Sequence, residues 1–506
     1  MVAYSDNADT SPLPSILMAK QQNNIQLVKT LEKVLRRIIP RKDEIERIKK
    51  YSDRIKKDLE TIISSLDVDA EVRLEGSVAK GTWLSGDVDL DFFILIRYDP
   101  EKTKKFFLEL LRKIMATLPY DFQLRYAEHP YLRAKINGLE VDIVPAYKSP
   151  PQHIISSVDR TPHHTSYILS RITPTLANEI RLLKAFLKGI GTYGAEVRVG
   201  GLSGYACELL ILHYGSFLKT IVEFSRRKTF FIDPTGSWKK KDATKKFQHH
   251  PFILIDPTDR TRNVTSALRP QTLSKIQIYS KLFLQNPSTK FFFPEKKEID
   301  VRNLNRILDE RHITLILLEK TEDIAPDIYW GQALRIKRKI RSHIEKSGFQ
   351  VVSIDEYETE RHIILIIETT TKKLPHIKKI YGPPTIANIR HILRFYQKHK
   401  DEIISGPWIE NSRIWILIKN KQQDLYTHLQ QTLQKIRMDP SFRTYQILQT
   451  PQEIIKYAEE NSCIEILTEA LSKDRLKKHL EEIIQKLTQD KTEKTQMPTY
   501  TQHTSH

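Results

Sequence analysis

The sequence is poor in cysteine and has no long hydrophobic run. Only Cys207 and Cys463 occur among 506 residues, far apart and in segments with helical periodicity, so we predict neither a disulfide framework nor a zinc site. The longest apolar runs, 92–96 and 363–367, have the length of a strand and fall far short of a membrane span. The polar amino terminus lacks the features of a signal peptide. These absences predict a soluble protein of the reducing cytoplasm, with no membrane partner.

Acidic residues are the minority among the charged ones. Lys and Arg number 81 and Asp and Glu 62, which gives a formal net charge of +19. Such an excess suggests a polyanionic partner, and the alternative is a basic surface that only keeps the protein soluble. A site that handles phosphates on the same chain favours nucleic acid. The length predicts roughly three or four domains.

One short run of sequence carries both a turn suited to phosphates and a pair of carboxylates. The turn at Gly76-Ser77 offers backbone N–H groups and a hydroxyl to an anion, and Lys80 adds a positive charge. Asp89 and Asp91 then open an apolar strand, where a period of two places both side chains on one face. Because charged residues are rarely buried unless they are paired or bind a metal, this pattern predicts a metal site.

A third carboxylate is expected on a neighbouring strand. Asp142 lies within residues 139–145 and is flanked by β-branched residues. Carboxylate oxygens suit Mg²⁺, which also binds the oxygens of a substrate phosphate. Three carboxylates complete a two-metal site, so the sequence predicts nucleotidyl or phosphoryl transfer.

Composition and periodicity predict an α+β (mixed α/β), multidomain fold. The predicted parts are a disordered segment at 1–24, a mixed α/β catalytic domain at 25–155, a helical central domain at 156–285, a carboxy-terminal body and tail at 286–487 and a disordered end at 488–506. Within the carboxy-terminal half we predict a sheet covered by helices on one side.

The motifs resemble the nucleotidyltransferase superfamily that includes DNA polymerase β, poly(A) polymerase and the oligoadenylate synthetases. The resemblance rests on Gly76-Ser77, Asp89-x-Asp91 and Asp142. Further segments resemble one branch, the class I (archaeal-type) CCA-adding enzymes. These segments are 157–164, 181–188, 191–196, 201–205, 256–264, 381–384 and 406–409. The resemblance implies a polymerase β-like head, a helical second domain and carboxy-terminal α/β domains that bind RNA.

This resemblance implies template-independent addition of C, C and A to the 3′ end of tRNA from CTP and ATP, with Mg²⁺ as cofactor, and repair of damaged 3′ ends. The carboxy-terminal half would bind the acceptor and TΨC arms of tRNA. The sequence leaves open whether the chain forms a homodimer. One alternative is another enzyme of the superfamily, such as a poly(A) polymerase or an oligoadenylate synthetase. Another is a non-catalytic RNA-binding protein on the same fold.

The resemblance also assigns site residues. Asp89, Asp91 and Asp142 would be catalytic and bind the metal. The nucleotide would contact Gly76, Ser77, Lys80, Thr161, His164, Lys184, Tyr193 and Arg262. Lys80 stands where family members often carry Arg, which keeps a point charge and loses the bidentate fork. His163 replaces His164 in this set if the correspondence shifts by one residue.

Overall fold

The computed structural model describes residues 14–66, 68–97, 104–126, 129–150, 154–295, 301–322, 324–420, 424–436, 439–473 and 475–495. The chain divides into two compact units, one of Met1–Lys296 with Leu476–His506 and the other of Lys297–Arg475. Each unit combines helices with sheets, which confirms the predicted mixed α/β, multidomain class.

The first unit opens with helices packed on one face of a five-stranded sheet. Its elements are α1 (Pro14–Ile38), α2 (Lys42–Ser65), β1 (Ala70–Glu75), α3 (Gly76–Ala79), β2 (Asp89–Arg97), α4 (Lys104–Thr117), β3 (Phe122–Tyr126), β4 (Pro130–Ile136) and β5 (Leu139–Lys148). The strand order is β1-β2-β5-β4-β3, and only the β2–β5 pairing is parallel. Leu90, Phe92 and Ile94 of β2 are buried in one core with apolar residues of α2 and α4. Alternation along β2 therefore directs Asp89 and Asp91 to the opposite face.

The first unit continues with a helical part built around a phenylalanine-rich core. Its elements are α5 (Thr161–Leu169), α6 (Pro174–Gly189), α7 (Gly204–Tyr214), α8 (Phe217–Arg226), β6 (Phe230–Ile232), α9 (Lys240–Lys246), β7 (Phe252–Asp256), β8 (Asp259–Asn263) and α10 (Pro270–Gln285), with short 3-10 helices at Val158–Arg160 and Thr289–Phe291. The Ser203 hydroxyl accepts from the N–H of Ala206 and caps α7. Strands β6, β7 and β8 form a small sheet within the part that the sequence predicts to be a helical domain. Periodicity did not predict these strands, because β6 and β7 are short apolar runs and β8 is a short polar one.

The second unit contains two sheets. Its elements are α11 (Val301–Glu310), β9 (His312–Lys320), α12 (Pro326–Ser347), β10 (Val351–Glu358), β11 (His362–Thr369), β12 (Ile377–Pro384), α13 (Ile389–His399), a 3-10 helix at Lys400–Glu402, β13 (Ile403–Glu410), β14 (Arg413–Lys419), α14 (Leu425–Lys435), β15 (Phe442–Leu448), α15 (Pro451–Glu460) and α16 (Ile464–Ser472). The sheets run β10-β11-β9-β15 and β12-β14-β13, so the predicted single sheet is wrong. Lysines interrupt the apolar pattern of β12, and this weakens its signal as a strand.

The chain then returns to the first unit through α17 (Arg475–Thr495), whose Leu476 and Ile483 pack against the helical core. Helix α1 starts at Pro14 and α17 ends at Thr495, so 14–24 and 488–495 are helical where the sequence predicts disorder. Lys, Gln, Leu and Ala favour a helix even in a polar segment, and a helix extends cooperatively from a packed neighbour. The rest of those two predicted segments lies outside the described residues. Cys207 and Cys463 are free and buried. In the part of the chain that the structure describes, no helix is long and apolar enough to cross a membrane.

Candidate active site

Three carboxylates lie along adjacent strands of the five-stranded sheet. Asp91 of β2 is directly opposite Asp142 of the parallel strand β5, and Asp89 lies two residues before Asp91 on the same face. We call Asp89, Asp91 and Asp142 the carboxylate row. The structure therefore brings together the three predicted metal ligands.

The glycine turn lies directly against this row. Gly76 has a φ of +71°, which favours glycine, and a Cβ on it would be 2.0 Å from Oδ2 of Asp91. Helix α3 starts at this glycine, and the carbonyl of Ser77 accepts from the N–H of Thr82 at 2.9 Å. The close approach of backbone to carboxylate explains why the turn has no side chain at Gly76.

Burial and neighbouring negative charges raise the pKa of two members of the carboxylate row. Burial, followed by the charges of Asp142 and Asp89, raises the pKa of Asp91 to about 6. Burial and the charge of Glu140 raise the pKa of Asp89. A divalent cation between these groups would remove the repulsion, so the row fits such an ion in charge and in ligand type.

Arg133 of β4 pairs with the third carboxylate. Its Nε and Nη2 donate to the two oxygens of Asp142, each at 2.7 Å, and this pairing raises the pKa of Arg133. Among the described residues, no group of three or more His, Cys, Asp or Glu side chains is arranged to hold a metal ion. For all three carboxylates to bind one ion, Asp142 would have to leave Arg133.

Two of the predicted nucleotide-binding lysines converge on one buried carboxylate. Lys80 Nζ donates to Glu208 Oε2 at 2.7 Å, and Lys184 Nζ donates to Oε1 at 3.2 Å and to the Thr82 hydroxyl at 2.9 Å. Thr82 in turn donates to Glu208 Oε1 at 2.8 Å. We call Lys80, Thr82, Lys184 and Glu208 the lysine cluster. The charge of Lys80 also lowers the pKa of Asp91 against the larger effect of burial, so this cluster adjoins the carboxylate row.

A second cluster forms around Asp256 at the end of β7. Its Oδ2 contacts His164 Nε2 at 2.9 Å and accepts from Arg262 Nη1 at 2.9 Å. Tyr205 donates to Oδ1 at 3.2 Å and stacks on the His164 ring at a centroid distance of 3.8 Å. Burial would raise the pKa of Asp256, but the bonds from His164 and its other donors hold it well below its usual range. His163 instead contacts the carbonyl of Ser149 at 2.8 Å, so His164 is the histidine that lies beside Arg262.

The remaining predicted residues lie at the edges of these clusters. Thr161 is the first residue of α5, the helix that carries His164. Tyr193 follows α6, and its hydroxyl lies 2.9 Å from where a Cβ on Gly204 would stand. Burial raises the pKa of Tyr193, which keeps the hydroxyl protonated as a hydrogen-bond donor.

Five residues of this site have no counterpart among the sequence predictions: Thr82, Arg133, Tyr205, Glu208 and Asp256. Glu208 is the only charged residue of the otherwise apolar helix α7, and Asp256 ends an apolar strand. The argument that found Asp89 and Asp91, namely that buried charges need a partner, would have found both. Arg133 and Tyr205 gave no comparable signal, because an Arg on a half-exposed strand and a Tyr beside a helix cap are usually structural.

Three family models match successive parts of the chain. Residues 53–164 match the nucleotidyltransferase domain, and 178–293 match the second domain of tRNA nucleotidyltransferase. Residues 311–439 match the C-terminal domain of the CCA-adding enzyme. The fold and the carboxylate row thus define a nucleotidyltransferase. The last match lies outside the catalytic domain and distinguishes this branch from other enzymes of the superfamily.

Relatives that are similar to most of the chain are CCA-adding enzymes. This chain is 36% identical to the CCA-adding enzyme of Picrophilus torridus over 446 residues, which cover 88% of this chain and 98% of that relative. Identity to the CCA-adding enzyme of Saccharolobus islandicus is 35% over 82% of this chain and 97% of the relative. Identity to the CCA-adding enzyme of Methanothermobacter thermautotrophicus is 34% over 79% of this chain and 87% of the relative. The chain belongs to the CCA-adding enzyme family of tRNA nucleotidyltransferases, which confirms the resemblance and the prediction of an enzyme.

Proposed function

We propose that this chain adds C, C and A in turn to the 3′ end of tRNA, using CTP and ATP and releasing pyrophosphate. The tRNA 3′-hydroxyl attacks the α-phosphate in line, which is the reaction of nucleotidyltransferases on a triphosphate. The observation that carries the proposal is the register of Asp91 with Asp142 beside the glycine turn. Repair of incomplete 3′ ends follows from the same reaction, because each shortened tRNA is itself an intermediate.

Asp89, Asp91 and Asp142 are proposed to hold Mg²⁺. Their ligand type and their mutual repulsion support a divalent cation, and nucleotidyltransferases as a family use one. When bound, Mg²⁺ supplies a lowered pKa for the attacking hydroxyl and charge neutralisation for the pyrophosphate. Arg133 holds the Asp142 side chain through two charge-assisted hydrogen bonds.

The other wall of the site is proposed to bind the nucleotide. Lys80 and Lys184 would contact the triphosphate, with the hydroxyl of Ser77 and the backbone at Gly76 completing the cradle. Thr161 and Tyr193 would contact the phosphates or sugar from the helical part. These roles account for several buried polar groups at one place, which an ordinary core would not contain.

Discrimination between nucleotides is proposed to come from the cluster at Asp256. Asp256 fixes His164 and Arg262 in place, so their remaining donors can meet the edge of the incoming base. Buried polar groups that lose their partner with a wrong base give strong discrimination. This cluster is therefore expected to affect the choice of base more than the speed of the reaction.

The second unit is proposed to bind the acceptor and TΨC arms of tRNA. A-form RNA hides its base edges in a deep groove, so contacts to backbone and shape are expected to dominate. Exposed Tyr381 stands beside Arg413, whose guanidinium is 5.0 Å from the ring centroid. An aromatic ring next to a cation suits an unstacked base and its phosphate. A homodimer and a cytoplasmic location stay predictions.

The test is extension of defined substrates by the purified full chain. With Mg²⁺, CTP and ATP, a tRNA lacking its 3′ CCA should gain three nucleotides, and one ending in CC should gain a single A without CTP. Long A tails or 2′-5′ linkages would instead indicate the poly(A) polymerase or oligoadenylate synthetase alternatives. If no substrate is extended while tRNA still binds, the proposed activity is wrong.

A further inference from the structure

Glu208 is a fully buried carboxylate to which neither sequence analysis nor the proposed mechanism gives a role. Its side chain is 1% exposed, and both of its oxygens are engaged within the lysine cluster. It lies on α7 one turn after Gly204, so both residues share one face of the helix. That face is turned to the two candidate phosphate-binding lysines.

The charges of this cluster do not cancel. Two ammonium groups, Lys80 at 8% exposure and Lys184 at 3%, face a single carboxylate. Desolvation lowers the pKa of Lys184, and the charge of Glu208 opposes that effect. With both lysines charged, the group carries one net positive charge in a largely buried place. Such an excess is stable when an anion is the expected occupant.

Helix α7 packs directly against the side chains of Lys184 and Tyr193. At Gly204 a Cβ would lie 2.9 Å from the Tyr193 hydroxyl and 3.6 Å from Nζ of Lys184. A buried ion pair that only stabilises the fold can usually be replaced by apolar residues with no loss of stability. Here one turn of helix binds Lys80 and Lys184 through Glu208 and lies against the Tyr193 hydroxyl at Gly204. The proposed function assigns these two lysines and Tyr193 to the nucleotide.

We propose that Glu208 is a positioning residue of the phosphate-binding site. It fixes the ammonium groups of Lys80 and Lys184 at the spacing that receives the triphosphate, without touching the nucleotide itself. This inference rests on the proposed function and deepens it. Because both lysines act on phosphates, removal of the Glu208 charge should weaken CTP and ATP alike.

The experiment compares Glu208→Gln with Glu179→Gln. Glu179 lies on α6, is partly buried and accepts a hydrogen bond from the N–H of Phe217 at 2.7 Å, outside the lysine cluster. In Glu208→Gln the KM for CTP and for ATP should each rise about tenfold, the usual size of one charge-assisted hydrogen bond, while kcat changes less than about threefold. The control should keep both KM values, and Glu208→Asp, which retains the charge, should recover part of the loss.

A second measurement separates this inference from the proposed function. Inorganic tripolyphosphate should raise the melting temperature of the wild-type chain, and its half-saturating concentration should be about tenfold higher for Glu208→Gln. This assay also shows that the variant is folded. Its result tests the role of Glu208 even if no tRNA is extended. Unchanged KM values and tripolyphosphate binding in folded Glu208→Gln would overturn the role of Glu208. So would an effect on one nucleotide only.

Discussion

In the carboxylate row, burial and neighbouring negative charges raise the pKa of Asp89 and Asp91, whereas in the lysine cluster two ammonium groups share one buried carboxylate. Register along two strands positions the row, and a helix packed against buried side chains positions the cluster. The row therefore carries an excess of negative charge that a cation would balance, while the cluster carries one net positive charge that an anion would balance. Loss of a charge from the row should stabilise the fold and abolish activity, but loss of the charge from the cluster should mainly weaken nucleotide binding.

The largest effect is expected from Asp91→Asn. A metal site supplies several kcal/mol of transition-state stabilisation, so kcat should fall by roughly a thousandfold or more. The measurement is kcat for tRNA extension in the steady state, and tRNA binding is measured in parallel. Glu71→Gln is the matched control, because Glu71 lies on the adjacent strand β1 in an exposed pair with Lys148. If Asp91→Asn retained near-normal kcat, the row would not be the catalytic centre.

The pH dependence of stability tests the raised pKa of Asp91. The pKa of Asp91 is raised to about 6 in the folded chain by burial and by the charges of Asp142 and Asp89, above its ordinary value of 3.8. Between those pH values the folded state keeps a proton that the unfolded state has lost. The free energy of unfolding should therefore fall as pH rises from about 4 to 6, by up to about 3 kcal/mol.

Urea unfolding in EDTA at pH 4.5 and 7 measures this effect. Asp91→Asn lacks the titrating group, so it should gain stability over the wild type as the pH increases. Mg²⁺ should reduce the difference, because it binds the ionised carboxylates of the wild type. Equal pH dependence of the two chains would show that the pKa of Asp91 is not raised in the folded chain.

The two clusters also differ in how much of them the sequence could predict. The carboxylate row was predictable in full, because alternation along a strand places Asp89 and Asp91 together, and Asp142 lies within a similar apolar strand. In the lysine cluster, Lys80 and Lys184 were assigned only through resemblance, and Glu208 was missed. Local periodicity cannot report a contact between residues 128 positions apart. Strands β6 and β7 were missed for a related reason, because tertiary burial rather than local pattern determines them, and the polar strand β8 has no apolar alternation.

A smaller effect is expected from Gly76→Ala, compared with Gly86→Ala. Both glycines have positive φ, +71° and +75°, so each substitution should lower the free energy of unfolding by about 1 kcal/mol or somewhat more. Only at Gly76 would the new Cβ meet Asp91, whereas nothing lies within 4 Å of the position at Gly86. Gly76→Ala should therefore lose roughly ten- to hundredfold in kcat through displacement of that carboxylate. Equal kcat in the two variants would mean that the turn does not constrain Asp91.

The smallest effect is expected from Arg133→Gln. Arg133 is 44% exposed, and exposed ion pairs contribute about 0.2–1 kcal/mol, so its contact with Asp142 is easily exchanged. Without this competitor, the Mg²⁺ concentration that gives half-maximal activity should fall by about two- to fivefold. Arg125→Gln is the control, because Arg125 is exposed on the neighbouring strand β3 and bonds only locally to Gln123 among its described contacts.

The direction of the change in half-saturating Mg²⁺ concentration shows whether Arg133 competes with the cation for Asp142 or orients Asp142 for it. If Arg133 competes with the cation, the half-saturating Mg²⁺ concentration falls and kcat at saturating Mg²⁺ is nearly unchanged. If Arg133 instead orients Asp142 for the cation, the required concentration rises. The second result would mean that the carboxylate row, like the lysine cluster, depends on an internal partner for its geometry, and the contrast between the two clusters would then be one of burial alone.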